Sequence, residues 1–119
     1  AIDLKTRTKD FALEIIRLMQ VAQENEAQVL GRQVLRSGTS VGAHYREAQR
    51  AKSNADFISK IEGGLQELEE SQYWLELLGE SRLVAQDFLA PLRREANELT
   101  AIFVSIVNKA KRNNKSRKG

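Results

Sequence analysis

Residues 87–110 read DFLAPLRREANELTAIFVSIVNKA. Within them Leu89, Leu92, Ala96, Leu99, Phe103, Ile106 and Ala110 recur at steps that alternate three and four, the heptad rhythm of a helix-bundle seam. Asp87 is placed to cap this helix. Pro91 falls in its first turn, where a missing N–H costs little because those donors have no intrahelical acceptor. A helix with one apolar stripe must bury it against other helices, and the upstream residues supply three. Ser53 with Asp56 forms a capping pair for a helix that reaches Gly79. Its stripe is Phe57, Ile61, Leu65, Leu68, Leu75 and Leu78, and Gly79 is suited to stop it. Asn25, with Gln28 three residues on, caps a helix to about Ala51 striped by Leu30, Val34, Val41, Tyr45 and Ala48. A first helix, from about Thr6 to Glu24, carries Phe11, Ile15, Leu18, Met19 and Ala22 on one face.

The connections between these segments are short, so consecutive helices are antiparallel neighbours. The expected fold is all-α: an antiparallel up-down-up-down four-helix bundle over residues 1–110, followed by a basic tail, 111–119, expected to be disordered.

Composition narrows the function classes. The chain has 119 residues, 41% apolar and 29% charged, with one Pro, no Cys and one His. That length supports one core. The lone Pro argues against a turn-rich β-sandwich. Without Cys there are no disulfides, thiolate metal sites or Cys nucleophile. A single His excludes two-imidazole zinc sites and the paired Glu-x-x-His motifs of di-iron bundles. His44 and Glu47, three apart, read as a structural pair. Glu62, Glu69 and Glu76 repeat every seven residues as a solvated or subunit-facing stripe. The expectation is a non-enzymatic protein with no catalytic residues, no cofactor and no metal. No apolar run nears the roughly 20 residues of a membrane span, and no secretory leader pattern is visible, so the expected location is the cytoplasm with no membrane partner.

Charge is unevenly placed. The formal net charge is +3, yet Lys109, Lys111, Arg112, Lys115, Arg117 and Lys118 alone supply six positive charges to residues 109–119. Residues 25–52 hold five basic and two acidic side chains, and residues 53–80 one Lys against seven acids. On the second helix Arg32, Arg36, Arg46 and Arg50 fall within about 80° of arc, opposite Val34, Val41 and Ala48. Such a column is a solvated face, a phosphate-binding surface, or the mate of an acidic surface such as the one the third helix offers. The same nucleic-acid role extends to Lys109, Lys111, Arg112 and Lys115.

Four glycines are expected at helix contacts. Gly38 and Gly42 each cost about 1 kcal/mol relative to Ala inside a helix, and Gly63 and Gly64 interrupt the third. A hairpin centred between Lys52 and Ser53 pairs Gly42 with Gly63 and Val41 with Gly64, a close crossing of helices two and three. The segment Ser37-Gly38-Thr39-Ser40 lacks the spacing of a phosphate-cradling loop. Tyr73, Trp74 and Leu77, with Leu13 and Ile16, point away from the core stripes, which predicts an oligomer interface.

The run Leu35-Arg36-Ser37-Gly38-Thr39-Ser40-Val41-Gly42-Ala43, then Tyr45-Arg46-Glu47-Ala48, Ala51-Lys52-Ser53, Asp56-Phe57 and Lys60, resembles the four-helix-bundle proteins encoded within intervening sequences of bacterial 23S rRNA genes. So do Glu70, Tyr73-Trp74-Leu75-Glu76-Leu77-Leu78, Glu95, Glu98-Leu99 and Ile102-Phe103. His44 departs from the family's usual Asn. The resemblance implies a ring-like homopentamer. It also implies similarity to retroelement accessory proteins, whose basic surface binds nucleic acid and a reverse transcriptase, so a protein partner of that kind is expected alongside RNA. The favoured expectation is an oligomeric bundle that binds nucleic acid through basic side chains. The alternative is an assembly scaffold whose arginines serve subunit contacts.

Overall fold

A computed structural model describes residues 3–118, with side-chain surroundings for residues 3–113. Four helices follow one another: α1 Leu4–Val21, α2 Asn25–Gln49, α3 Asn54–Glu80 and α4 Gln86–Lys118. Each packs on its sequence neighbours and α1 closes onto α4, giving the up-down-up-down bundle that the heptad stripes predict. The α2–α3 interface is the most extensive and α1–α4 the slightest. The core is built from Phe11, Ile15 and Leu18 of α1, Val34 and Val41 of α2, Ile61, Leu68 and Leu75 of α3, and Leu89, Leu99 and Phe103 of α4. Each lies at its predicted stripe position. Inside this apolar seam Ser37 of α2 and Ser71 of α3 share a 2.7 Å hydrogen bond. Each hydroxyl also lies near a carbonyl of its own helix, Gln33 at 2.9 Å and Glu67 at 2.8 Å.

Helix ends differ from the sequence reading in specific ways. Asp3 caps α1, its carboxylate accepting from the Thr6 N–H at 3.1 Å, so the helix begins two residues earlier than expected. Asn25 is the first helical residue of α2 and not its cap. Glu24 occupies the cap and makes no side-chain cap bond; its carbonyl accepts the Gln28 N–H, the first bond of the helix. Ser53 caps α3 as predicted, accepting from the Asp56 N–H at 3.0 Å, while the Asp56 carboxylate accepts from the Lys52 N–H. Gly79 does not stop α3. It is buried inside the last turn, where a Cβ would lie 2.7 Å from Gln86 Oε1, so its smallness serves contact with the start of α4. The left-handed residue is Arg82, at φ 64°. Asp87 lies in the first turn of α4 and is not its cap, and Pro91 sits two residues deeper in the helix than expected. Helical backbone continues past Ala110, where the sequence reading ends the bundle.

The glycine pairing also needs correction. A Cβ on Gly38 would lie 2.0 Å from Ile15 Cδ1, and one on Gly42 would lie 3.2 Å from Thr8 Oγ1. Both therefore face α1 and not α3. Gly63 lies beneath the His44 ring of α2, and Gly64 against Phe103 of α4. All four serve helix contacts, but the two pairs do not meet. Gly38 and Gly42 lie on a different side of α2 from Ser37, which faces α3.

Candidate functional site

The Gly42–Thr8 contact brings the start of α1 against the end of α2. Two shallow recesses lie along that seam. One, of about 300 Å³, is lined by Lys5, Arg46, Glu47, Gln49 and Arg50. The second, of about 210 Å³, includes Thr8, Lys9 and Arg46. Arg46 borders both, so Lys5, Lys9, Arg46 and Arg50 form one basic strip across two helices. Among the described residues none of these four cations lies within ion-pair distance of a carboxylate. The sequence column contributed Arg46 and Arg50. Lys5 and Lys9 were missed, because only antiparallel packing places a pair four apart on α1 beside residues some forty positions away.

The other members of the column part company. Arg32 is exposed and unpaired among the described residues. Arg36 is engaged within its own chain by Glu70, with Glu67 at 3.6 Å. The Glu70 hydrogen bond and the attraction of both carboxylates hold its pKa above the ordinary guanidinium value. This is the acidic surface that the third helix offers, so Arg36 is not free for an outside anion. Lys111 reaches Glu62 at 3.3 Å, whereas Arg112 is exposed. Lys115 lies outside the described side chains. The acidic series Glu62, Glu69 and Glu76 is exposed along its length, and His44 Nδ1 lies 4.0 Å from Glu47 Oε2.

Charge is segregated along the bundle axis. The end formed by residues 3–10, 43–62 and 103–113 carries ten Lys and Arg against five Asp and Glu. Residues 11–42 and 63–102 carry six against eleven. A groove of about 430 Å³ between α1 and α4 has Phe11, Phe88, Pro91 and Leu92 with Asp10, Glu14, Asp87 and Glu95. Beside it Arg7 bridges the two helices, bonding Glu95 at 2.6 Å and Glu98 at 2.8 Å. At the basic end a third recess, of about 450 Å³, is lined by Tyr45, Asn54, Phe57, Ile106 and Lys109 among others.

Of the predicted interface residues, Tyr73 is 54% exposed. Trp74 packs half-buried against the core, its ring 5.1 Å from that of Tyr73, and Leu77 is half-buried. Leu13 and Ile16 are exposed on α1. Among the described residues no cluster of His, Asp or Glu is arranged to hold a metal ion, and no helix is long and apolar enough to cross a membrane.

The model of the family described as 23S rRNA-intervening sequence protein matches residues 2–105. The chain belongs to that family. Among solved structures, this family member is similar to a protein of unknown function from the S23 ribosomal protein family of Bacteroides thetaiotaomicron, known from a crystal structure. The two are 36% identical with a TM-score of 0.81, over 87% of this chain and 96% of that one. A search of curated proteins finds no match. Both relationships concern the bundle itself, and neither description states an activity or a ligand.

Proposed function

We propose that this family member is a non-catalytic, cytoplasmic nucleic-acid-binding bundle that grips phosphates with its basic end. The observation that carries the reading is the strip Lys5, Lys9, Arg46 and Arg50, exposed and without carboxylate partners among the described residues. Guanidinium groups engage phosphate oxygens bidentately, and neutralising phosphates releases condensed counterions. Lys109 and Arg112, exposed on α4 at the same end of the bundle, add to its positive charge. RNA is the favoured polyanion because the family is described by an rRNA intervening sequence. With no base-reading motif, binding carries little sequence preference. Assembly into a homopentamer, as the sequence resemblance implies, multiplies weak contacts into avidity.

The test is fluorescence anisotropy of labelled RNA across a salt series. Four neutralised phosphates on a single strand give a slope of log K against log salt of roughly −3. Arg50→Glu flattens the slope, and Arg36→Ala leaves it unchanged because Glu67 and Glu70 already occupy that guanidinium. An affinity that does not vary with salt overturns the reading.

A second reading, an assembly scaffold, is favoured by the exposed apolar side chains Leu13, Ile16, Val21 and Tyr73. Loss of the oligomer in Arg50→Glu, measured by light scattering, supports the scaffold. Loss of RNA binding with the oligomer intact supports phosphate binding.

A further inference from the structure

We propose that the recess between α2, α3 and α4 at the basic end receives an unstacked nucleobase, which makes single-stranded nucleic acid the substrate class of this interface. The inference rests on the phosphate-binding reading and adds the chemistry of the base to it. Helical periodicity places Tyr45 and Phe57 in the core stripes, yet both are only half-buried, and both line this recess with Ile106. Two aromatic side chains and an aliphatic one, left partly uncovered at the most basic end of the molecule, form an apolar slot of about 450 Å³. That lies within the roughly 300–1,000 Å³ of small-ligand clefts. Defined contacts position the walls of the slot. The Asn54 amide donates to the Ala110 carbonyl at 2.9 Å, pinning the first turn of α3 to α4, and the Tyr45 ring rests 6.2 Å from buried Phe103.

Cations stand on both sides. Lys109 lines the recess itself. On the other side Gln49 reaches the Tyr45 hydroxyl and also lines the recess of Lys5, Arg46 and Arg50. An aromatic slot flanked by phosphate-binding groups is the arrangement by which proteins hold single strands, because every base has a π-face and every linkage a charge. A duplex keeps its bases paired and stacked, and must extrude one to fill the slot. An aliphatic ligand would fit the slot but would leave the flanking cations without anions. A nucleotide chain satisfies both.

The experiment compares three probes on the full chain, each at the same low and high salt concentrations: a short single-stranded oligonucleotide, its blunt duplex, and a strand of the same length whose sugars carry no bases. Tyr45→Leu and Phe57→Leu, which keep apolar volume but remove the ring faces, are measured beside the unaltered protein, with circular dichroism confirming the fold. The expected result is a single-strand preference that falls about tenfold for the abasic strand and for each Leu variant, while duplex affinity stays constant. Equal affinity for all three probes overturns the slot and leaves phosphate binding standing. Absence of salt-dependent binding to any probe overturns phosphate binding and the slot together. The abasic comparison uses unaltered protein, so the outcome does not depend on the variants folding.

Discussion

Replacing Gly38 with Ala sets two calculable effects against each other. Gly inside a helix costs about 1 kcal/mol relative to Ala, so propensity alone predicts a more stable protein. The new Cβ, however, would lie 2.0 Å from Ile15 Cδ1 and 3.6 Å from Phe11 Cε2. Ile15 is fully buried and Phe11 is 2% exposed, so the colliding methyl has no solvent to turn into. Forcing extra volume into a packed core costs about 1–3 kcal/mol. An approach as close as 2.0 Å to a buried side chain puts the cost in the upper part of that range, about 2–3 kcal/mol. Set against about 1 kcal/mol of propensity, the steric effect wins, and Gly38→Ala is expected to destabilise by about 1–2 kcal/mol, a Tm fall of roughly 3–8 °C. Gly31→Ala is the control. Its Cβ would meet Met19 Sδ at 2.7 Å, but Met19 is flexible and half-exposed. It can move aside, and the variant is expected to be unchanged or up to about 1 kcal/mol more stable. Ile15→Val removes the clashing Cδ1. Alone it costs about 0.5–1.5 kcal/mol, and combined with Gly38→Ala it should recover stability, with a coupling of at least about 0.5 kcal/mol. Urea unfolding followed by far-ultraviolet circular dichroism, at one protein concentration, measures the four variants beside the parent. A Gly38→Ala protein as stable as the parent, or a coupling of zero, would refute the α1–α2 contact on which the placement of Lys5 and Lys9 depends.

Two further outcomes follow from the ends and edges of the bundle. Hydrogen bonding to Arg7, reinforced by its charge, holds the Glu95 carboxyl below its ordinary value of 4.5. A carboxylate with a depressed folded pKa adds stability above its unfolded pKa and loses it as pH falls through the folded one. The link therefore contributes fully at neutral pH and fades as acid is added below about 4.5. Both side chains keep solvent contact, so Glu95→Gln is expected to cost about 1 kcal/mol at pH 7 and almost nothing at the acid end. Acid titrations of the two proteins that run parallel would reject this. Ser53→Ala removes the bond to the Asp56 N–H and is expected to cost about 1 kcal/mol, read from urea midpoints. Ser53→Asp restores most of it.

What was legible in the sequence follows from how far each signal reaches along the chain. Phe103 and Leu99 announce themselves as core because α-helical periodicity is local, set by 3.6 residues per turn. The Ser53 cap is equally local, needing only its own side chain and an N–H three residues on. The misplaced end of α3 has a different cause. Gly79 has every local mark of a stop signal, but Gln86 packs on it from the next helix. The left-handed turn is displaced to Arg82, where local preference would not put it.

The candidate site divides in the same way. Arg46 and Arg50 lie on one face of one helix, so spacing alone found them. Arg36 lies on that face too, and spacing cannot tell that Glu67 and Glu70 stand opposite it on α3. The chain by itself determined four amphipathic helices, their antiparallel order and a surplus of cations in particular stretches, because each depends on residues a few positions apart. Only packing decided which cations are neutralised, that Lys5 and Lys9 join Arg46, and that Tyr45 and Phe57 are left half-covered. Those outcomes depend on the offset and rotation between helices, which are set by the close fit of Gly42 on Thr8, Gly38 on Ile15 and Gly64 on Phe103. No stretch of chain encodes that fit alone.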